Sequence, residues 1–460
     1  MQPALDASPP VHRWMKDSLD RSVFHKSLQV LGVRIPANKT SAFLASKALR
    51  NYIMGLPKIR NVVTSSLDRD HRVVVLQVTD EAALSPEARS FIQEHSAEFA
   101  KHTVNLDYDY WTADDILQSI LPEELCEGSP SGFSITGHIA HMNLNREYLP
   151  YKYVIGQVIL DASFKNPALK TVINKVDTID TTFRFFRMEL LAGEPNYVVE
   201  HHESDCCFTF DFSRVYWNSR LQAEHDRVVQ LVKPDDVIAD VFAGVGPFAV
   251  PAGKKGCGVL ANDLNPDSAR YLSENIAINK VDRLVRASCE DGRDFIRNAP
   301  SRVLREPFPA YAGPQLSKAQ AKLMQRKMQR QSPSHIRSFS PERSHTPPLT
   351  PRRAITHFIM NLPESALLFL DAFRGILSSL AGAGGELSEV YTEMPMVHCY
   401  CFTREAELEK AEQDIKQRAE AQLGAKLDGD LSIHHVRSVA PSKDMYCISF
   451  RLPRSVAFAQ

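Results

Sequence analysis

Apolar and polar positions change rhythm along this chain. In the first half, short β-branched runs separate stretches of helical spacing; from Glu224 onward, wholly apolar runs alternate with amphipathic ones. Residues 72–78 (RVVVLQV) read as a strand and residues 85–100 and 112–121 as helices; the runs at 133–140 and 154–160 belong to a second α+β unit. Further strands are expected at 182–190, 197–200 and 207–212, then near 237–242, 257–262, 284–288, 355–361 and 388–393. The later runs are apolar at every position, as strands covered on both faces must be, and helical patterns lie between them. That combination predicts an α/β fold with a mostly parallel, doubly wound sheet. A helix over 404–423 and two runs at 434–439 and 445–452, joined by APSKD, close the pattern as a hairpin-like pair.

Two segments depart from this rhythm. Residues 1–22 are polar and contain proline, and read as a flexible terminus. Residues 305–353 separate two core strands; within 313–353, nine Lys/Arg stand against one acid, Glu342, among Ser-Pro and Thr-Pro pairs. So few bulky apolar residues cannot offset the entropy of ordering, which predicts a disordered insert.

Composition narrows the class. The chain has 460 residues, 43% hydrophobic and 24% charged, with a net charge of −1. That length holds two or three domains with sizeable cores. The near-zero balance means that any basic surface is local. No apolar run reaches the ~18 residues that a membrane span needs. The eight cysteines form no CxxC pair, so free thiols in a reducing compartment are expected and no metal site is indicated. The first residues lack an apolar signal core.

The chemistry concentrates in Asp240-Val-Phe-Ala-Gly-Val-Gly-Pro-Phe248 and Asn262-Asp263-Leu264-Asn265-Pro266. A strand leads into a Gly-x-Gly turn (Gly244, Gly246), and a second strand ends in an acid about 20 residues on, a spacing suited to ribose hydroxyls. Ala249 occupies the third glycine position of the dinucleotide pattern, and Asp240 opens the loop with a charge that repels a pyrophosphate. A cationic ligand such as S-adenosylmethionine fits better. Asp291-Gly292, after the third strand, is in register to accept from an adenine amino group, and equally suited to cap the helix that follows. Asn361-Leu362-Pro363-Glu364-Ser365, after the fourth strand, places an amide at the rim of the same pocket; an ordinary strand-to-helix turn is the other reading. Upstream, FRFFRMELLAGE (183–194) and DFSRVYWNSRLQAEH (211–225) are dense in polar and aromatic residues; Tyr216 can shape a site, while Trp217 reads as core.

Together FRFFRMELLAGE, DFSRVYWNSRLQAEH, DVFAGVGPFAVPA, NDLNP and NLPESA, in this order, resemble the archaeal and eukaryotic tRNA (guanine-37-N1)-methyltransferase family. The resemblance covers about residues 130–300 and 354–452, with a loose match before it. It implies a class I (Rossmann-like) methyltransferase domain over 223–460, a middle α+β domain over 126–222 and an N-terminal tRNA-recognition domain over 23–125. It implies methylation by S-adenosylmethionine of N1 of the guanosine 3′ of the anticodon, and the first step of wybutosine synthesis on phenylalanine tRNA. Glu224 would be the general base, Arg184 the donor to O6, Asn361 the group positioning the base, and Pro363 the stiffener of its loop. Asp263 would grip the ribose and Asp291 the adenine, with Gly292 beside it. Phe242, Gly244, Val245 and Gly246 would line the methionine end above Asp240, and His225 and Leu264 would border the cofactor. The family implies direct transfer without metal, a monomer meeting the anticodon stem-loop and outer corner of tRNA, and residence in cytoplasm, nucleus and mitochondrial matrix. Two other readings stand: a class I enzyme acting on another RNA such as ribosomal RNA, and a non-catalytic RNA-binding relative. A cytosine-carbon target is excluded, because NLPES supplies no cysteine nucleophile.

Overall fold

The computed structural model describes residues 5–65, 68–162, 168–176, 183, 187–313, 350–378 and 390–460. Two compact units emerge: Met1–Val176 with Met188–Asn196, and Asp177–Arg187 with Tyr197–Gln460.

In the first unit, β1 (His25–Pro36), β2 (Val62–Thr64), β3 (His71–Val75) and β4 (Glu98–Asp107) form an antiparallel sheet in the order β2-β3-β1-β4. The helices α1 (Thr40–Ala45), α2 (Pro86–Glu94), α3 (Ala113–Ile120) and α4 (Lys152–Ala162) accompany it. A second sheet runs β5 (Ser134–Thr136), β6 (Ile139–Met142), β7 (Thr171–Lys175), β8 (Met188–Gly193). The apolar run at 154–160 is therefore helix α4, burying Val154, Ile155, Val158 and Ile159. The terminus expected to be flexible is built from residue 5 onward. Met15 is 1% exposed, His12 N–H donates to Ser119 O at 2.9 Å, and Trp111 Nε1 donates to Ala7 O at 2.7 Å. Its partners lie about a hundred residues away, where no local pattern reveals them.

The second unit opens with the hairpin β9 (Val198–Glu203) and β10 (Cys206–Asp211), followed by α5 (Gln222–Leu231). A seven-stranded sheet follows from β11 (Val237–Asp240), β12 (Gly258–Asn262), β13 (Val285–Ser288), β14 (His357–Met360), β15 (Met396–Thr403), β16 (Leu431–Ala440) and β17 (Lys443–Arg451). Its order is β13-β12-β11-β14-β15-β17-β16; the first five strands are parallel and the last two antiparallel. The helices α6 (Ala249–Lys255), α7 (Pro266–Ile278), α8 (Gly292–Arg305), α9 (Leu408–Leu423) and α10 (Arg454–Ala457) complete the unit. The chain moves outward from β11 through β12 to β13, then returns to β14 on the other side of β11. That reversal opens a crevice beyond the carboxyl ends of the strands.

Three expected boundaries move. The hairpin β9–β10 belongs to this unit rather than to a middle domain ending at residue 222. Asn275 Oδ1 of α7 accepts from Thr209 N at 2.8 Å, and Asn279 Oδ1 accepts from Cys207 N at 3.0 Å, so the helix caps the open strand edge. No strand occupies 390–393; β15 starts at Met396, after Pro395, where Val397, Cys399, Tyr400 and Cys401 are all buried. The insert is narrower than 305–353. Phe308 and Arg352 exchange both backbone hydrogen bonds, at 3.0 and 2.9 Å, and the Arg352 guanidinium donates to Gly256 O at 2.8 Å and Pro234 O at 3.1 Å. The predicted disorder at 314–349 lies outside the described residues.

Candidate active site

The strand tips of the second unit surround a cleft of about 360 Å³. After β11 the chain turns through Gly244 (φ 55°) and Gly246 (φ 100°), a left-handed path that favours glycine at both positions. Gly244 N–H donates to Asp263 Oδ2 at 2.8 Å, joining this turn to the tip of β12. Gly246 serves packing instead: a Cβ there would meet Leu272 Cδ1 at 2.8 Å and Val250 Cγ2 at 2.9 Å.

Asn262 ties the tips together. Its amide nitrogen donates to Val241 O (3.2 Å) and Glu290 O (3.0 Å), while its oxygen accepts from Ser288 Oγ and Glu290 N, both at 3.0 Å. A buried amide with its hydrogen-bonding capacity used in this way holds three strand ends in one arrangement. Asn265 caps α7 through Asp267 N (3.0 Å) and reaches back to Arg214 O at 2.8 Å.

Asp263 lines the cleft and accepts from Gly244 N and Asn265 N. Burial pushes its pKa up to about 6, against the lowering effect of those two amides. Asp240 is wholly inaccessible, and neither carboxylate oxygen has a hydrogen-bond partner among the described residues. Burial, and then the neighbouring Asp263, raise its pKa well above the carboxylate range. An uncompensated buried carboxylate costs several kcal/mol, which is why burial drives this carboxyl toward its neutral form.

The opposite wall is aromatic. Phe242 and Phe369 meet edge to face with centroids 5.0 Å apart, and a Cβ on Gly292 would approach Phe242 Cε1 to 2.9 Å. Arg293 lies 4.4 Å from the Phe369 centroid and bonds to Asp371 Oδ1 (3.0 Å) and Leu368 O (2.7 Å), so the ring is backed by a fixed cation. Asp291 caps α8 through Arg293 N at 2.8 Å and also lines the cleft.

Of the residues singled out from sequence, the cleft wall contains Phe242, Gly244, Asp263, Leu264, Asp291, Gly292, Asn361 and Pro363. Val245, Gly246 and Asp240 do not line it; the first two pack inward and the third is sealed. His225, expected to border the cofactor, does not line the cleft. It is buried, pairs through Nδ1 with Glu203 Oε1, and meets Phe248 edge to face at 4.8 Å. Burial would raise the pKa of Glu203, but the His201 ring, 3.6 Å away, and the hydrogen bond from His225 hold it below the usual value.

Glu224 is likewise absent from the cleft wall. Its carboxylate takes a bidentate pair from Arg227, one turn along α5, at 2.6 and 2.7 Å, and a hydrogen bond from Tyr400 Oη at 2.7 Å. Arg184 lies outside the described residues. Sequence reasoning overlooked Phe183, Ser268, Phe369 and Phe402 on the wall and the roles of Asn262 and Asn265; Tyr216, named as a possible shaper, is there. Trp217 is core, packed on Phe208 and Phe210. The eight cysteines are all free. On the β9–β10 hairpin, Glu200, His202 and Cys207 bring three possible ligand atoms within 4.8 Å of one another, and none of them lines the cleft.

Comparison with known proteins follows the same division. Residues 199–325 match the TRM5/TYW2 methyltransferase domain, and residues 113–196 the TYW2 N-terminal domain. A tRNA (guanine(37)-N(1))-methyltransferase of Coprinopsis cinerea is 55% identical over 463 residues, 99% of this chain and 98% of that protein. The protein of the same name from Schizosaccharomyces pombe is 42% identical, over 96% of this chain and 95% of its own length. Among solved structures, the complex of aTrm5 with tRNALeu shares the fold at a TM-score of 0.57 and 19% identity, over 92% of this chain and 100% of that one. Trm5b from Pyrococcus abyssi does so at 0.53 and 20%, over 92% and 99%.

Proposed function

Because the chain belongs to the tRNA (guanine(37)-N(1))-methyltransferase family, we propose that it transfers a methyl group from S-adenosylmethionine to N1 of guanosine 37 in tRNA. The observation that carries the cofactor reading is the cleft beyond the strand tips, lined by Asp263 at the Gly244 turn and by the Phe242–Phe369 pair. A dinucleotide would bring phosphate charge beside the Asp263 carboxyl, whereas a ligand carrying an ammonium and a sulfonium brings none. The remaining donor set fits the same ligand: Asp263 is suited to a ribose diol, and the Phe242–Phe369 wall beside Gly292 to a flat purine. When bound, this cofactor supplies an electrophilic methyl carbon.

The rest of the chemistry falls to the protein. Guanine N1 carries a proton and is a poor nucleophile until that proton leaves. In this reading Glu224 accepts the proton, Arg184 stabilises charge on O6, and Asn361, at the cleft rim, orients the base edge. Base assistance of this kind contributes ~10²–10⁴-fold, and a fixed cation at O6 often contributes more. Pro363 supports the rim, since its carbonyl accepts from Phe402 N at 3.2 Å. The target base has to leave the anticodon-loop stack to reach such a cleft. We extend the reading to the first step of wybutosine synthesis on phenylalanine tRNA, and to action as a monomer in cytoplasm, nucleus and mitochondrial matrix.

The test is methyl transfer from labelled S-adenosylmethionine to tRNA transcripts carrying guanosine or adenosine at position 37. The expected product is 1-methylguanosine, seen by nucleoside mass spectrometry with the guanosine transcript alone. Label in the adenosine transcript, or methylguanosine at another position, would move the target elsewhere.

A further inference from the structure

We infer that Arg227 and Tyr400 are positioning residues for the methyl transfer, holding the Glu224 side chain off the cleft until Arg227 gives way. The inference rests on the reading of Glu224 as the base.

Three elements converge on one carboxylate. Arg227 on α5 donates from Nε to Oε2 at 2.6 Å and from Nη2 to Oε1 at 2.7 Å. Tyr400, at the centre of β15 and fully buried, donates its hydroxyl to Oε1 at 2.7 Å. On β16, His434 Nε2 stands 3.7 Å from Oε2. Tyr400 lies 176 positions from Glu224 in the chain, and the sheet order β15-β17-β16 brings the strands carrying Tyr400 and His434 to the same carboxylate. The burial is nearly complete, with the Glu224 side chain 5% exposed.

Such a carboxylate is well made as an anion and badly placed as a base. Three donors occupy three of the roughly four lone-pair positions of the carboxylate, and charge-assisted bidentate pairs are the stronger class of hydrogen bond. For the reaction to proceed, the N1–H proton moves to a Glu224 oxygen, and the N1 electron pair forms the bond to the methyl carbon. The carbon–sulfur bond breaks with its pair going to sulfur. Glu224 leaves this step neutral, so Arg227 must exchange at least one of its two bonds beforehand. Tyr400 then keeps the carboxylate oriented while the guanidinium withdraws.

The test is the pH dependence of single-turnover methyl transfer with full-length protein and tRNA transcript. Wild type is compared with Arg227→Gln, Arg227→Lys, Tyr400→Phe and Glu224→Gln. Melting temperature and S-adenosylmethionine affinity serve as fold controls for each variant. We expect the midpoint of the acid limb to move up by about one pH unit in Arg227→Gln, by less in Tyr400→Phe, and to return toward wild type in Arg227→Lys. Tyr400→Phe removes one oxygen without disturbing the core and keeps the test available if Arg227→Gln does not fold. A role confined to structure would lower the rate at every pH and leave the midpoint in place. Unmoved midpoints in Arg227→Gln and Tyr400→Phe, together with an acid limb lost in Glu224→Gln, overturn the clamp alone. An acid limb that survives in Glu224→Gln overturns the assignment of the base, and the clamp with it.

Discussion

The two sides of the second unit are built by different rules. On the donor side, Gly244, Asp263, Asp291, Gly292 and Asn361 come from the tips of four adjacent parallel strands. Each follows an apolar run closely, so strand order brings all of them to one cleft. On the base side, Glu224 depends on a helix preceding the sheet and on strands near the carboxyl end. Its nearest bonds run to Arg227 and to Tyr400, 176 positions away. Among the described residues no Lys, Arg or His lines the cleft, whereas Glu224 already holds Arg227. On the proposed reading, recognition on one side waits for a ligand, and chemistry on the other waits for a rearrangement.

Glu224→Gln should give the largest change: methyl transfer falls ~10²–10⁴-fold while S-adenosylmethionine affinity, by calorimetry, stays at the wild-type value. A variant that loses cofactor affinity as well would merge the two sides into one. Asp263→Ala should do the reverse, weakening cofactor binding about tenfold to a hundredfold, as loss of charge-assisted hydrogen bonds worth ~1.5–3 kcal/mol implies. An unchanged dissociation constant would remove Asp263 from the site.

The pH dependence of cofactor affinity is a finer probe. Because the Asp263 pKa is raised from 3.8 to about 6, its carboxylate is neutral below that range, and affinity should fall as pH drops through about 6. Asp263→Asn should flatten this dependence; an identical profile would assign it to another group. The sign for the unliganded fold is opposite. A raised folded-state pKa contributes stability that is complete below 3.8 and lost as pH rises to about 6.

Proton release should be the smallest effect. The Asp240 pKa is raised well above the carboxylate range while no cation is bound, so binding of S-adenosylmethionine should expel up to one proton. Calorimetry in buffers of different ionisation enthalpy reads this directly. No buffer dependence at neutral pH would mean that Asp240 is ionised before the ligand arrives.

By itself the sequence determined the parallel sheet, the glycine turn and the acids that follow its strands. Those features are local: an apolar run sets a strand, and the residue after it must lie at the strand's end. Eight of the singled-out residues reached the cleft for that reason. The tertiary structure alone decided what lies across from them. Phe369 sits in a short helical stretch, Ala366–Phe373, where an aromatic reads as ordinary core, and only its meeting with Phe242 turns it into a cleft wall. His225 neighbours Glu224 in sequence yet faces Glu203 inside the fold, since successive helical positions point about 100° apart. The ordered start of the chain, the helix-capped hairpin and the Arg227–Glu224–Tyr400 cluster share one cause: their partners are distant in sequence, and a pattern read along the chain carries no record of contacts made across it.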